Sequence, residues 1–576
     1  MIRKILRILP KFLWLLPGFL AWAAFPPMGE KTDILFAFGP LLWLARRGDA
    51  KRSALTWFNN GLLFWVGTLA WMPAIVKNGG PWPLVVLGWG ALAAYCALYF
   101  AAFGWLDAHV WRWVAGERLE QGRGVWRAYS RRLAAILVFE PILWAGLELV
   151  RSRLFGGFAW NQLGVAMVNA GFGAPARLGG VYLVSALVIL VNGTIASIAE
   201  RMLEPFLARR RLPDGHLEGP SPVPSWVRSC ETLVPLAVVW GVFRLSACFA
   251  PEMWRAEQGP SVNFALVQRN FPCVFKAGDG NPIEKYTELL AHVGLLRPDV
   301  VVLPESALCE FGDVRSQRAK LFADWVRETT GAAYVMSGGG STVAEEGGSV
   351  RLYNSVGVYD GAENVRDVYD KVHLVPFGEY IPFDKTFTVL QKLAPVGSCT
   401  AGELKTVSVG PFADGRPEVS LGVAICFEDT DSAQMRELAR KGAQALVFVT
   451  NDSWFSKSDE AVQHAWQSVA RAVETGLPVV RVGNSGVTGT IAPDGAASWL
   501  SADGRPLVDK SASMFDRVEL APKPSADADA GQHARRFTPY VVLGDKPIFC
   551  AFLLLIAALI LIKYLSNHEK RRTLSM

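Results

Sequence analysis

Long apolar runs constrain the fold of this chain more than any other feature of its sequence. A helix needs about 20 mostly apolar residues to cross the hydrocarbon core of a bilayer. Candidate spans lie at 9–27, 31–45, 54–76, 82–108, 133–153, 177–203, 230–250 and 541–563. Proline interrupts the first two, and no signal-peptide cleavage site separates them, so we expect both to be retained as helices. The sequence predicts about eight spans; the alternative is that several runs are core helices of a soluble protein.

The basic residues predict which side of the membrane each link faces, because Lys and Arg favour the cytoplasmic side. They cluster at both ends and in every second link, at 3–11, 46–52, 112–132, 209–228 and 563–572. Both termini are therefore expected in the cytoplasm. The pattern predicts a membrane domain of about seven helices at 1–254, a periplasmic domain at 255–535, and a C-terminal transmembrane helix with a cytoplasmic tail at 536–576. The membrane would be the inner membrane of a Gram-negative cell.

Composition narrows the function classes. Half of the residues are hydrophobic and 21 are Trp, a residue that favours the membrane–water boundary. The net charge of +6 comes without a nucleic-acid-binding motif, so no nucleic-acid partner is expected. The seven His are scattered and no Cys-x-x-Cys pair occurs, so neither a metal nor a cofactor is predicted. A disulfide among Cys273, Cys309 and Cys399 stays open if that region lies in an oxidising compartment.

The segment 255–535 has a different pattern, in which short β-rich runs alternate with amphipathic stretches. Strands are predicted at 263–268, 299–304, 333–337, 354–359, 420–426, 445–450 and 478–483. Helices are predicted at 282–295, 313–329, 431–442 and 460–475. Apolar strands separated by helices indicate an α/β fold with a buried sheet, in which chemistry collects at strand ends.

Three segments of this domain each carry one reactive side chain. Glu305 directly follows a buried run, where desolvation raises a carboxyl pKa; alternatively it only flanks the next helix. Lys371 lies in an apolar, aromatic stretch in which Glu379 is placed to hold its ammonium; alternatively it is a solvated lysine. Cys426 ends an apolar strand and is followed by acids and a turn; alternatively it is a packed core thiol.

Together these side chains form a workable nucleophilic set. The thiolate is the reactive form of Cys, and a free thiol has a pKa of about 8.5. Glu305 is a candidate base for the thiol proton of Cys426. The charge of Lys371 would favour the thiolate and stabilise an oxyanion, with the backbone N–H of Phe427 as a second donor. The chain has neither a Gly-x-Ser-x-Gly elbow nor a P-loop, which leaves Cys426 as the candidate nucleophile.

These segments resemble a known family. The three signatures of the nitrilase superfamily are similar to Leu303–Glu305, Lys371–Glu379 and Ile425–Glu428. Further segments resemble one membrane-embedded branch, the apolipoprotein N-acyltransferases: Gly157–Trp160, Asn451–Phe455, Gln463–His464 and Asn484–Thr488. The resemblance covers nearly the whole chain.

The resemblance implies a fold, a reaction and roles for residues. The fold would be a polytopic α-helical membrane domain with an inserted α/β nitrilase-like α-β-β-α sandwich. The reaction would be ping-pong: Cys426 takes an acyl chain from a phospholipid as a thioester, and the N-terminal amine of a diacylglyceryl-Cys apolipoprotein accepts it. Glu305 would be the base and Lys371 the oxyanion partner. The supporting residues would be Glu379, Phe427 and Glu428, and the substrate contacts Trp160, Phe377, Tyr380, Asn451 and Trp454.

Two departures from the family pattern concern the substrate. Phe427 stands where the family often has Tyr, so a phenol hydroxyl is absent. The loop at Phe275–Ala277 lacks a Trp that the family often carries there. The apolar stretch 376–383 is interpreted as a mobile lid that keeps water from a thioester, with Gly378 as its hinge; a rigid Pro-rich turn is the alternative.

Two other functions remain as alternatives. A membrane-tethered nitrilase-type amidohydrolase acting on small amides would use the same three residues, although one anchor would suffice for it. The second alternative is a binding or transport protein, and polar residues inside the spans would favour transport. The eight-span pattern favours acyl transfer, because its substrates reside in the bilayer.

Overall fold

The computed structural model describes two compact units. The described residues are 13–46, 49–115, 123–207, 225–250, 259–271, 282–345, 348–381, 398–523 and 537–574. The helical unit comprises Met1–Ala70, Pro83–Cys248 and Asp545–Met576. The α/β unit comprises Trp71–Trp82 and Phe249–Gly544. It therefore includes a short N-terminal segment that the predicted domain 255–535 does not contain.

The secondary structure described in the helical unit consists of helices joined by turns and short extended segments. The helices are α1 (Leu16–Ala23), α2 (Ile34–Ala37), α3 (Gly39–Ala45), α4 (Ala50–Thr68), α5 (Trp82–Ala115), α6 (Arg123–Ala134), α7 (Glu140–Arg151), α8 (Leu163–Met167), α9 (Ala176–Leu207), α10 (Ser225–Ala247) and the C-terminal α16 (Lys546–Leu574). A π-helical turn at Ala135–Phe139 joins α6 to α7.

Five helices in the described ranges are long and apolar enough to cross a membrane. They cover Trp82–Val114, Tyr129–Arg151, Ala176–Leu203, Ser229–Ala247 and Lys546–Tyr564, and match the last five predicted spans. Several apolar side chains on α10 and α16 are exposed, among them Trp240 and Leu554. Apolar faces of this kind suit contact with lipid tails.

The first three predicted spans differ from the structure. The run 31–45 is two short helices, because the chain bends at Phe38 and α3 begins with Gly39-Pro40, where proline fits the first helical turn. The run 9–27 contains only the eight-residue α1, and residues 1–12 lie outside the described part. The run 54–76 ends its helix at Thr68. The count of eight spans stays a prediction.

The α/β unit contains two six-stranded sheets. Its strands are β1 (Ser261–Gln268), β2 (Val300–Val302), β3 (Tyr334–Ala344), β4 (Val350–Tyr359), β5 (Asp367–Asp370), β6 (Thr406–Val409), β7 (Val419–Ile425), β8 (Ala445–Thr450), β9 (Val479–Gly483), β10 (Gly489–Ile491), β11 (Ala497–Trp499), β12 (Ser501–Ala502), β13 (Arg505–Pro506) and β14 (Ala512–Glu519). The first sheet has the order β14-β1-β2-β3-β4-β5 and the second β11-β10-β9-β8-β7-β6, while β12 and β13 pair separately. The central pairs β1–β2, β2–β3, β7–β8 and β8–β9 are parallel.

Helices cover the outer faces of both sheets. They are α11 (Pro282–Gly294), α12 (Gln317–Thr330), α13 (Ser432–Arg440), α14 (Glu460–Thr475) and α15 (Pro539–Leu543). Successive side chains of a strand point to opposite faces. In β1, Phe264 and Leu266 join the core shared by the two sheets, whereas Ala265 and Val267 pack with Tyr286 of α11. The unit is therefore an α-β-β-α sandwich, in which each buried aliphatic or Phe side chain contributes about 1.5–3 kcal/mol.

The predicted strands and helices of this unit are all present, with shifted ends. Helix α12 starts at Gln317 rather than 313, because the Ser316 hydroxyl accepts a hydrogen bond from the Ala319 N–H (3.2 Å) and caps the helix. Gly331, at φ 70°, ends it. The strands that the sequence did not predict, β5, β6 and β10 to β14, are short or lie toward sheet edges, where apolar alternation is weak.

The segment Trp71–Trp82 is an integral part of the α/β unit. It contains a 3₁₀ turn at Met72–Asn78. The Asn78 side-chain amide donates to the carbonyl oxygens of Trp454 (2.8 Å) and Ser453 (3.1 Å). The rings of Trp71 and Phe455 meet edge to face, with centroids 4.6 Å apart. These contacts hold the turn Asp452–Phe455, which follows β8.

Candidate active site

Two of the three predicted reactive side chains directly follow a strand, and Glu305 lies three residues beyond the end of one. Glu305 comes after β2, Lys371 after β5 and Cys426 after β7. Cys426 has a left-handed backbone (φ 54°), a conformation that costs a non-glycine residue free energy and is concentrated at functional sites. The strand ends at this residue, and the following 3₁₀ turn, Cys426–Thr430, changes the direction of the chain.

Glu428 ties the nucleophile strand to the lysine segment. Its carboxylate is fully buried, and one oxygen accepts hydrogen bonds from the backbone N–H groups of Val372 (2.8 Å) and His373 (3.0 Å). The other oxygen accepts from the Ile425 N–H (2.8 Å), and the Tyr369 hydroxyl donates to both at 3.0 Å. One side chain therefore fixes the residues beside Lys371 and beside Cys426.

A hydrogen-bonded chain connects the lysine to the first carboxylate. Lys371 is 1% exposed, which excludes a solvated lysine, and its Nζ lies 2.9 Å from Glu379 Oε1. The Asn354 amide donates to the same Glu379 oxygen (2.8 Å) and to Glu305 Oε1 (2.7 Å). Asn354 lies in β4 and was not among the predicted site residues; a polar residue at the start of the predicted strand 354–359 was its one signal in the sequence.

Burial and neighbouring charges set the protonation of these groups. Burial raises the pKa of the Glu305 carboxyl, as expected for its position, although Lys371 opposes the shift. Burial and the Glu305 charge raise the pKa of the Cys426 thiol well above its usual value, and Lys371 again acts in the opposite direction. For Lys371, burial lowers the pKa, but Glu379, Cys426 and Glu305 outweigh it and raise the pKa. The resting site therefore holds a protonated thiol beside a permanent cation.

Behind Cys426 lies a buried group of charged residues, called here the ionic cluster: Asp429, Asp452, Glu460, His464 and Arg481. His464 Nδ1 is 2.9 Å from Asp452 Oδ1, and its Nε2 is 3.0 Å from Asp429 Oδ1. Arg481 contacts Asp429 Oδ2 at 2.6 Å and Asp452 Oδ2 at 3.4 Å. Glu460 Oε1 lies 3.6 Å from His464 Nδ1.

The ionic cluster is balanced by the chain's own cations. Asp452, Glu460 and His464 are close enough to share a metal ion. However, both His464 nitrogens already face carboxylates, and the Arg481 guanidinium supplies a second positive charge. We therefore interpret the group as an ion-pair network. His464 also contacts the nucleophile directly, since its Nε2 is 3.3 Å from the Cys426 carbonyl oxygen.

The described part of the predicted lid is a tight turn. The Phe377 N–H donates to the Tyr380 carbonyl (2.7 Å), and the Glu379 N–H donates to the Val375 carbonyl (2.9 Å). The left-handed residue of this turn is Phe377 (φ 61°) and not Gly378, the predicted hinge. The Phe377 side chain is 61% exposed and Tyr380 is partly exposed, so both are accessible. Residues 382–383 lie outside the described part.

The other predicted substrate residues of this unit differ in accessibility. Trp454 is 36% exposed. Asn451 is buried, and its side-chain oxygen accepts hydrogen bonds from the Ser453 hydroxyl (2.6 Å) and the Asn484 amide (2.9 Å). Its contacts are those of a residue that shapes the turn before Trp454. Phe427 is partly exposed and packs edge to face on the His373 ring, with centroids 5.9 Å apart.

Trp160 lies in the helical unit. It is 2% exposed, and its carbonyl oxygen accepts a hydrogen bond from Arg151 (3.0 Å). Trp160 thus packs inside the helical unit, and its role as a substrate contact stays a prediction. Cys309 and Cys399 are free thiols. Cys273 and the departure at 275–277 lie outside the described residues.

Two family models match the chain. The model described as apolipoprotein N-acyltransferase N-terminal domain matches residues 17–194, in the helical unit and the segment Trp71–Trp82. The model described as carbon-nitrogen hydrolase matches residues 283–514, in the α/β unit. These matches confirm the predicted fold class, a helical membrane region with a nitrilase-like α/β domain.

Full-length relatives resemble the chain over both units. An apolipoprotein N-acyltransferase of Geobacter metallireducens is 30% identical over 83% of this chain and 84% of its own length. The enzyme of the same name from Pasteurella multocida is 25% identical over 96% and 95%. Among solved structures, an amidase from Nesterenkonia sp. is 18% identical, with a TM-score of 0.31 over 48% of this chain and 97% of its own. The chain belongs to the apolipoprotein N-acyltransferase family.

Proposed function

We propose that this enzyme transfers an acyl chain from a phospholipid, through a thioester on Cys426, to the N-terminal amine of a diacylglyceryl-Cys apolipoprotein. The observation that carries the proposal is the group formed by the buried Glu305 and Lys371 and the partly exposed Cys426, in a chain that belongs to this family. Membrane association follows from the family and from the five helices, within the described ranges, that are long and apolar enough to span a bilayer.

In the first step the thiol proton of Cys426 passes to Glu305, and the thiolate attacks the acyl ester carbonyl of the phospholipid. This transfer keeps the total charge of the site constant and moves the negative charge onto sulfur. Lys371 and the Phe427 backbone N–H are the proposed donors to the tetrahedral oxyanion. The ester C–O bond then breaks, the lysophospholipid alkoxide takes the proton from Glu305, and the thioester remains.

In the second step the lipoprotein amine attacks the thioester carbonyl. Glu305 accepts one proton from the amine, the C–S bond breaks, and the Cys426 thiolate leaves. The thiolate then regains the proton from Glu305, and the acyl chain ends on nitrogen as an amide. In this scheme Glu379 and Glu428 are supporting residues, the first because it holds Lys371 and the second because it fixes both neighbouring segments.

The accessible aromatic side chains near this group are candidate substrate contacts. Phe377, Tyr380 and Trp454 present apolar rings, and acyl chains favour such surfaces. The structure gives less support to direct contacts by Asn451 and Trp160, which are buried.

The proposed location is the inner membrane, with the catalytic domain at about 255–535 in the periplasm and both termini in the cytoplasm. The support is the alternation of basic links in the sequence. Reporter fusions after residues 215 and 260 should report opposite sides of the membrane. The same side for both would refute this orientation.

Mass spectrometry of the enzyme after incubation with phospholipid tests the chemistry. The expected result is one acyl adduct, on Cys426, that disappears when a diacylglyceryl peptide is added and reappears as an N-acyl peptide. Cys426→Ala should form neither adduct nor product, and N-acylated product from this variant would refute the mechanism. An adduct that only hydrolyses, together with turnover of small amides, would instead indicate the amidohydrolase alternative.

A further inference from the structure

The acyl-transfer steps leave the ionic cluster without a role, although it touches the nucleophile. We propose that His464 is a positioning residue whose imidazolium holds the backbone carbonyl of Cys426 and offsets the charges of Asp429 and Asp452. The thiolate then forms beside a neutral cluster instead of an anionic one. This inference rests on the proposed role of Cys426 as the nucleophile.

The hydrogen bonds of His464 require a doubly protonated ring. A neutral imidazole has a single N–H, but here both ring nitrogens face carboxylates, at 2.9 Å for Asp452 and 3.0 Å for Asp429. Burial lowers the pKa of His464, but Asp429 and Asp452 outweigh burial and Arg481 and raise it to about 10. The Nε2–H is directed at both Asp429 and the Cys426 carbonyl (3.3 Å), so the charged ring also fixes that carbonyl.

The charges of the cluster sum to zero only when His464 is protonated. Despite burial, the cationic neighbours lower the pKa values of Asp429 and Asp452, so both are anions. Burial and Asp452 raise the pKa of Glu460 well above its usual value, which favours the neutral form of this carboxyl. The cations His464 and Arg481 match the two anions. A neutral side chain at 464 would leave one unbalanced negative charge in a buried setting.

That charge would act on the nucleophile. Burial is the largest influence on the Cys426 pKa; the facing acids Glu305, Asp452 and Glu379 raise it further, and Lys371 lowers it. Asp452 thus belongs to the ionic cluster and lies within electrostatic range of the thiol. Removing the His464 charge should therefore raise the thiol pKa, and removing the Asp452 charge should lower it. If His464 and Asp452 only stabilised the fold, the two substitutions would not shift the thiol pKa in opposite directions.

The test uses His464→Gln and Asp452→Asn in the full-length enzyme. Alkylation of Cys426 by iodoacetamide is followed across pH by peptide mass spectrometry, because the rate depends on the thiolate fraction. In His464→Gln we expect the apparent thiol pKa to rise by about one unit or more. At a fixed pH below that value the alkylation rate then falls about tenfold. In Asp452→Asn the apparent pKa should fall.

Matched controls separate these effects from a general response to substitution. His292→Gln and Asp414→Asn make the same chemical changes at exposed positions and should leave the thiol pKa unchanged. Shifts of the same sign in both cluster variants, or an unchanged pKa in His464→Gln, would overturn the proposal. If His464→Gln does not fold, a downward shift in Asp452→Asn supports the proposal, and an upward or absent shift refutes it. Alkylation reports the free thiol of enzyme that has not been exposed to an acyl donor and requires no acyl transfer, so failure of the acyl-transfer mechanism would be recognised separately.

Discussion

Replacing Lys371 with Met keeps the length of the side chain and removes its charge. The loss of charge should affect both the rate of Cys426 acylation and the stability of the fold, for different reasons. Loss of one oxyanion donor costs about 2.7–4 kcal/mol of transition-state stabilisation, so acylation of Cys426 should slow about a hundredfold to a thousandfold. The free energy of unfolding should also fall, by at most about 3–5 kcal/mol, because the 14%-exposed Glu379 carboxylate would lose the buried ammonium that lies 2.9 Å from it.

The assay follows single-turnover formation of the acyl adduct by mass spectrometry, together with thermal unfolding. Lys405→Met is the matched control, since Lys405 is 47% exposed and pairs with Asp367 at 2.6 Å. It should cost at most about 1 kcal/mol of stability and leave the rate unchanged. A double variant, Lys371→Met with Glu379→Gln, removes the stranded charge and should regain part of the stability while acylation stays slow.

Two outcomes would refute this reasoning. Near-normal adduct formation by Lys371→Met would show that the ammonium does not stabilise the transition state. Recovery of the rate in the double variant would show that the stranded Glu379 charge, and not the lost ammonium, had slowed the reaction.

Three further predictions concern the base, the supporting acid and the turn. Burial raises the pKa of Glu305, and a protonated carboxyl cannot accept the thiol proton. On acidification, adduct formation should therefore decline at a pH above the ordinary carboxyl range. A single-turnover pH profile that stays flat down to pH 4 would contradict this. In Glu428→Gln, the side-chain amide N–H would face the Ile425 N–H or the other N–H donors, with no hydrogen bond between them. Thermal unfolding should show that the free energy of unfolding falls by about 1–3 kcal/mol. An unchanged melting temperature would show that Glu428 does not hold the two segments in place. Replacing Phe377 and Tyr380 with Ser should raise release of free fatty acid from the acyl-enzyme and lower transfer to peptide; wild-type levels of both would show that this turn does not shield the thioester.

Local sequence patterns were sufficient to select the three candidate reactive side chains. Glu305 and Cys426 each end a run of buried residues, and such runs are visible without a structure. Lys371 was found from its apolar surroundings even though β5, the strand before it, was not predicted. All three positions depend on short stretches of chain, which is why reasoning from the sequence reached them.

The partners of these residues depend on contacts that no local pattern encodes. Asn354 reaches Glu305 and Glu379 only because the register of β4 and β5 places Ser355 opposite Asp370. Arg481 and Asp429 are 52 positions apart; in the sequence Arg481 interrupts an apolar strand, and Asp429 is one of several acids in a turn. Polar residues of this kind form a hydrogen-bonded network only when strands and helices from different layers pack together. The sequence alone therefore does not show which of them are partners.

The short stretch Trp71–Trp82 affects how the catalytic part of the enzyme can be handled as a module. Because the unit is built from two separate pieces of sequence, its chain crosses into or out of it at four points, after residues 70, 82, 248 and 544. A gene fragment encoding 249–544 alone would lack the amide that holds the carbonyls of Ser453 and Trp454 and would leave the Phe455 ring without its partner. A fusion of this unit to another membrane segment therefore requires both Trp71–Trp82 and Phe249–Gly544. Recombination at a position between the two segments would separate residues that fold together.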